Sequence, residues 1–248
     1  MKSSDIAGVA SAMSSLLPIF EEEIWRKRVW DSCRLAIQRY RQGLSAGATV
    51  LQPAMRPAAE KAALVGLLTS RTPTILFAMP GQGKSYLALS AALAMAGSDV
   101  GGLPLVAPER RRPLFLDWET EEADQRERLY HLTGGSCNVE IGYKKMSGTF
   151  AQNLEGILSL IHEKGYDYLI IDSLLEAAGG LIEDTSVAAF KAAVGATGCG
   201  SLWLAHSAKN GNGDTAFGST HWMGQARLAW SLEQQESDPN VLSLALVC

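Results

Sequence analysis

From Pro73 onward, short apolar runs alternate with segments of helical spacing, and that alternation sets the expected architecture. Thr74–Met79, Leu114–Asp117, Tyr168–Asp172 and Ser201–Ala205 each read as a strand that is apolar at nearly every position. Between and after them lie the predicted helices Lys84–Ala96, Glu121–Leu132, Ala151–Glu163 and Ser186–Thr197. Strands without a polar face must be covered on both sides, so the pattern predicts an α/β fold: a mainly parallel sheet flanked by helices. Near the end, Leu228–Glu233 and Val241–Val247 flank a turn over Ser237, Asp238, Pro239 and Asn240, which predicts an antiparallel hairpin at the sheet edge.

Upstream the pattern differs. Residues 1–17 are rich in Ser and Ala and weakly patterned, whereas Pro18–Gln42 has helical spacing. There Trp25, Val29, Cys33, Ala36 and Tyr40 share one face behind the acids Glu21–Glu23. Gly43–Pro57 reads as a linker, and a second helix over about Ala58–Leu68 is expected to lead into the main domain. The division expected is therefore a small helical N-terminal extension with its linker, 1–57, and an α/β domain, 58–248. No repeat of about 20–50 residues is present. The last residue, Cys248, falls at a strand end, so a longer natural C-terminus is one expectation.

Composition narrows the class without naming a function. The net charge of −4 carries no argument for nucleic acid, which would require cations gathered locally. The basic clusters Arg26–Arg28, Arg110–Arg112 and Lys144–Lys145 read as solvated faces. The four cysteines, Cys33, Cys137, Cys199 and Cys248, show no metal-ligand or CxxC spacing and suit reduced thiols in a cytoplasmic protein. No apolar run reaches the roughly 18 residues of a membrane helix, and the polar interruptions of the N-terminus argue against a signal peptide.

The sharpest chemical signal is the run from Ala78 to Ser85, Ala-Met-Pro-Gly-Gln-Gly-Lys-Ser, between a predicted strand and a predicted helix. Glycines there let backbone N–H groups curl around an anion, and the helix N-terminus adds its positive dipole end. Lys84 can reach β- and γ-phosphates, and the Ser85 hydroxyl suits Mg²⁺. Nucleotide contacts are expected from Pro80, Gly81, Gln82, Gly83, Lys84, Ser85 and Tyr86. Ala78 stands where the GxxxxGK[ST] pattern usually has Gly, a small departure at the close of the strand.

Three further strands end in polar groups. Asp172 closes an apolar strand and is expected to hold Mg²⁺ through water. Glu119, just past another strand, reads either as the carboxylate that orients attacking water or as the first acid of the following helix. His206, ending a fourth, reads either as a group touching the γ-phosphate or as a structural histidine.

The order of these motifs is similar to a known family. Ala78–Ser85, Leu116–Glu119, Ile170–Leu174, Ala205–Lys209, Gly218-Ser219 and Gln225–Arg227 together resemble the RecA-like ATPases of the RepA-type hexameric helicase family, a group that includes DnaB and RadA-like proteins. The likeness covers about Pro73–Val247 and leaves 1–57 outside. It implies ATP and Mg²⁺ as ligands, Glu119 as catalytic glutamate and His206 as γ-phosphate sensor. It also implies a ring-shaped homo-oligomer, a hexamer, with single-stranded DNA as its track and Arg227 as an arginine finger acting on the neighbouring subunit. On the residues alone, Arg227 reads equally as a surface charge.

Such rings grip DNA with two loops, here Leu175–Thr185 and Lys209–Trp222. The first holds Glu176, Glu183 and Asp184 and no cation, and the second only Lys209 and His221. The residues therefore leave three functions open: a helicase or replication ATPase, an ATP-switched recombination mediator or regulator, and an ATP-binding module with negligible turnover.

Overall fold

The computed structural model describes residues 11, 29, 61–100, 103–180, 184–207, 222, 224–235 and 238–247. The chain divides into two compact units, Met1–Ala58 and Ala59–Cys248. Within the first, Ser11 and Val29 are helical. The rest of the predicted N-terminal extension and the linker lie outside the described residues.

The second unit is built on a seven-stranded sheet in the order β5-β4-β6-β7-β3-β8-β9. Its strands are β3 (Pro73–Ala78), β4 (Pro113–Asp117), β5 (Gly142–Lys145), β6 (Tyr168–Asp172), β7 (Gly200–His206), β8 (Leu228–Gln235) and β9 (Asp238–Leu246). Every neighbouring pair from β5 through β8 is parallel, and β9 returns antiparallel to β8. This is the expected mainly parallel sheet with a C-terminal hairpin. The hairpin differs in one detail, because pairing runs on to Gln235 opposite Asp238 and leaves a tighter connection than the four-residue turn predicted. Pro239 is tolerated because β9 is the edge strand among the described residues.

The continuous apolar runs are explained by burial on both faces. Alternate residues point opposite ways along a strand. Ile75, Phe77, Leu169, Ile171, Trp203 and Ala205 go to one core, with residues of α3 (Leu154–Lys164) and α5 (Asp184–Ala196). Leu76, Ala78, Tyr168, Ile170, Leu202 and Leu204 go to the other, with α1 (Lys84–Ala96). Leu129 and Leu132 of α2 (Glu122–Thr133) pack against that second core. In the first core, Phe190 meets Phe150, Trp203 and Trp222 edge-on, with ring centroids 5.0–5.7 Å apart.

The helix expected over Ala58–Leu68 is not formed. Residues 62–69 instead make a two-stranded antiparallel hairpin, β1 (Ala62–Leu64) and β2 (Leu68–Thr69). Gly66 at φ 73° turns the chain between them, a conformation open to Gly and incompatible with a continuing helix. Burial of Leu64 and Leu68 satisfies the same four-residue spacing that suggested a helix. Two elements had no expectation: β5, and the single-turn α4 (Leu174–Ala177) after β6.

Candidate active site

Strand register gathers the site. Ala78 of β3 pairs with His206 of β7, Asp117 of β4 with Asp172 of β6, and Asp172 in turn with Leu204 of β7. Four adjacent parallel strands therefore end side by side, and each delivers its following residues to one edge of the sheet. That is where ligands bind in open α/β sheets.

After β3 the chain passes through Pro80 and Gln82 into α1, with Gly81 at φ 83° and Gly83 at φ 85°. A Cβ on Gly81 would meet no atom within 4 Å, and one on Gly83 only Leu242 Cδ1 at 3.7 Å. The loop thus folds as an open cradle without a side chain filling it. Ala78 is buried in the α1-side core, which is why a small residue other than Gly serves there. Tyr86 is partly exposed on the first turn of α1.

Lys84 is buried, and desolvation holds its ammonium below the usual lysine range against the opposing pull of Asp172, Glu119 and Glu176. Its Nζ lies 3.3 Å from His206 Nδ1, and His206 Nε2 lies 2.9 Å from Glu119 Oε1. An ammonium can only donate and a carboxylate only accept, so the neutral imidazole protonated on Nε2 satisfies both partners. The hydrogen bond from His206 holds the Glu119 carboxyl below its usual range despite partial burial, with Ser173 and the Lys84 charge acting the same way.

Beside this chain, Ser85 Oγ donates to Asp172 Oδ2 at 2.8 Å. Asp172 is almost wholly buried, and its Oδ1 has no hydrogen-bond partner among the described residues. Burial first, then the Glu119 charge, pushes its carboxyl up to about 6, with Ser85 opposing. An orphaned acceptor next to a hydroxyl, with further carboxylates nearby, is the donor set a hard divalent cation takes. The residues therefore fit Mg²⁺ and a nucleotide phosphate: Ser85 and Asp172 toward the cation, the 81–85 backbone and Lys84 toward the phosphates.

The structure thus brings together Lys84, Ser85, Glu119, Asp172 and His206. It does not bring Arg227 to them. Arg227 is exposed just before β8, and its N–H donates to Pro73 O at the start of β3, the far end of that strand from the 79–83 loop. The 209–221 segment lies outside the described residues.

One group at this edge had no role assigned from sequence. Asp117 has zero exposure, and its carboxylate accepts from the N–H groups of Glu119 and Thr120, from Thr120 Oγ1 and from Gln125 Nε2, all at 2.7–2.9 Å. An Asp closing a strand three residues before a Thr is a recognisable Asx-turn signal that could have found it. Ser173, whose hydroxyl donates to Glu176, is a second such group and also touches Glu119.

This fold and this edge define a RecA-like P-loop ATPase. A family model described as an AAA domain matches residues 46–212, and the chain belongs to that family. None of the curated proteins matches it. Among solved structures, a KaiC-like protein from the hyperthermophilic archaeon Pyrococcus horikoshii OT3 superposes with a TM-score of 0.52 at 15% identity, over 77% of this chain and 87% of that one. That likeness is one of fold. No described helix is long and apolar enough to cross a membrane.

Proposed function

We propose that this protein is an ATP-hydrolysing RecA-like motor of the RepA-type helicase or replication class. The observation that carries the hydrolytic part is the Lys84–His206–Glu119 chain set against the Ser85–Asp172 pair. A phosphate grip, a sensor, a carboxylate base and a cation site occupy one sheet edge. ATP supplies the phosphoryl group, and Mg²⁺ neutralises charge on it.

The chain's own residues would then act as follows. Backbone N–H groups of the 81–85 loop and the Lys84 ammonium hold the phosphates. Ser85 and Asp172 hold the cation. Glu119, kept ionised by His206, orients and deprotonates the attacking water. His206 bridges Lys84 and Glu119, so any movement of Lys84 toward phosphate alters the contact that occupies Glu119.

The helicase assignment rests on the motif order and on a ring whose neighbour supplies Arg227. Arg227 lies away from this chain's own site, so any catalytic role for it requires action in trans. Whether DNA is the track is decided by turnover: ATPase activity with and without single-stranded DNA, with particle mass measured in parallel. DNA-stimulated hydrolysis by a hexamer supports the helicase. Turnover indifferent to DNA and stimulated by a protein partner would replace it with the regulatory ATPase. Nucleotide binding without turnover would leave only a binding module.

A further inference from the structure

We infer that Asp117 is the positioning residue of the hydrolytic site, fixing the backbone from which Glu119 reaches the attacking water. This rests on the reading of Glu119 as the base.

Three of the four hydrogen bonds that Asp117 accepts come from the turn carrying Glu119, and the fourth comes from Gln125 of α2. Its Oδ1 accepts the N–H of Glu119 at 2.9 Å and that of Thr120 at 2.8 Å. Its Oδ2 accepts Thr120 Oγ1 at 2.8 Å and Gln125 Nε2 at 2.7 Å. Gln125 also donates to Thr120 Oγ1 at 3.0 Å, which closes a small ring of side chains under the turn. A fully buried carboxylate is costly unless it is hydrogen-bonded, and here four donors meet that cost. Asp172 has the opposite condition, with one oxygen unpartnered. The two paired aspartates at this edge therefore divide the work. Asp172 has capacity left for a cation, and Asp117 has its oxygens committed to the protein.

The turn is held from its other sides too. Trp118 N–H donates to Asp172 O, and its indole N–H to Gly148 O at 2.6 Å. Tyr143 Oη and Lys145 Nζ, both from β5, donate to Thr120 O at 3.2 and 2.8 Å. The peptides on both sides of Glu119 are thus tethered. The Glu119 side chain reaches across the edge to His206, touches Ser173, and is 28% exposed. A rigid backbone with a side chain free to exchange one partner suits a base that must meet water at a fixed position. A misplacement of about 1 Å in such a group costs on the order of 100-fold in rate.

The test compares Asp117→Ala, Asp117→Asn and Glu119→Gln in the full chain, by steady-state ATPase and by affinity for a fluorescent ATP analogue. Asp117→Ala should lower kcat by about 100-fold while KM and nucleotide affinity stay within about threefold. Asp117→Asn should recover to within about tenfold of the parent. Its amide oxygen can still take both N–H groups, and Gln125, whose Oε1 is buried without a partner, can turn that oxygen to the new NH₂. Added to Glu119→Gln, Asp117→Ala should cost little more, because both act through one group.

Wild-type turnover in Asp117→Ala, an equal loss of nucleotide affinity, or a full additional loss on the Glu119→Gln background would each overturn the inference while leaving Glu119 as the base. Wild-type turnover in Glu119→Gln would instead remove the base, and the inference with it. Should Asp117→Ala fail to fold by circular dichroism, Gln125→Ala loosens the same clamp. It should lower kcat about tenfold at unchanged KM, and an unchanged kcat there would equally overturn the proposal.

Discussion

Asp172→Asn should change how the stability of the metal-free protein depends on pH, by an amount the site's burial sets. The Asp172 carboxyl lies at about 6 in the folded chain against 3.8 for an ordinary aspartate, chiefly through desolvation. A carboxyl raised on folding keeps its proton longer in the native state than in the unfolded one. The contribution of Asp172 to stability is therefore greatest below pH 4 and falls as pH rises through the window from 3.8 to about 6, then levels off. At about 1.4 kcal/mol per pH unit, the full loss is about 3 kcal/mol, of which about 2 kcal/mol falls between pH 4 and 7. Asparagine has no charge to desolvate, although its NH₂ takes the place of an oxygen that already lacked a partner. That substitution contributes a constant offset, independent of pH. Urea unfolding without Mg²⁺, followed by tryptophan fluorescence, should show the mutant gaining on the parent by about 2 kcal/mol from pH 4 to pH 7. Parallel stability profiles for the two proteins would show that Asp172 ionises as freely as it would in water, and would remove the argument for a strained, cation-ready carboxylate.

Other perturbations address the remaining groups. Lys84→Ala should abolish ATP binding or turnover while circular dichroism stays native, and unchanged ATPase would sink the P-loop assignment. Glu119→Gln should bind ATP yet hydrolyse it about a hundredfold or more slowly, measured by phosphate release at saturating ATP. Arg227→Ala should bind ATP normally and turn it over slowly, with partial rescue on mixing with Lys84→Ala subunits. A trans cation can contribute a factor of about 10³ or more. Concentration-independent turnover by a monomer, with no rescue on mixing, would leave Arg227 a surface charge.

The fold was legible wherever a strand is buried on both faces. Residues 75–78, 114–116, 169–171 and 202–205 are buried and carry only apolar side chains, so their apolar runs can be read without knowing their neighbours. β5 gives no such signal because it is an edge strand with Lys144 and Lys145 exposed and Tyr143 only partly buried, which leaves no apolar run to detect. The hairpin at 62–69 carries a helix-like pattern for a related reason. Leu64 and Leu68 face each other across a turn rather than along one helix face, and spacing alone cannot tell these apart. Gly66 is the local signal for the turn.

The site divides along the same line between local and non-local information. The 78–85 loop is contiguous, and each of its functional parts is contributed by neighbours in sequence. The Lys84–His206–Glu119 chain is different: it joins residues 122 and 87 positions apart and depends on register. Had β7 slipped one residue against β3, the strand alternation would have turned His206 to the opposite face, away from Lys84. That register is held by burial of Trp203 on one side and Leu202 and Leu204 on the other, far from any phosphate-binding residue. The polar chemistry is therefore positioned by apolar packing that motif matching does not sample. A strand-end Asp, Glu or His gains its meaning from which strands lie beside it. Asp117 and Asp172 illustrate the point, since each closes an apolar strand and the two are paired in register. What separates a committed carboxylate from an available one is the presence of Thr120 and Gln125 under one of them, and the lack of a second donor beside the other.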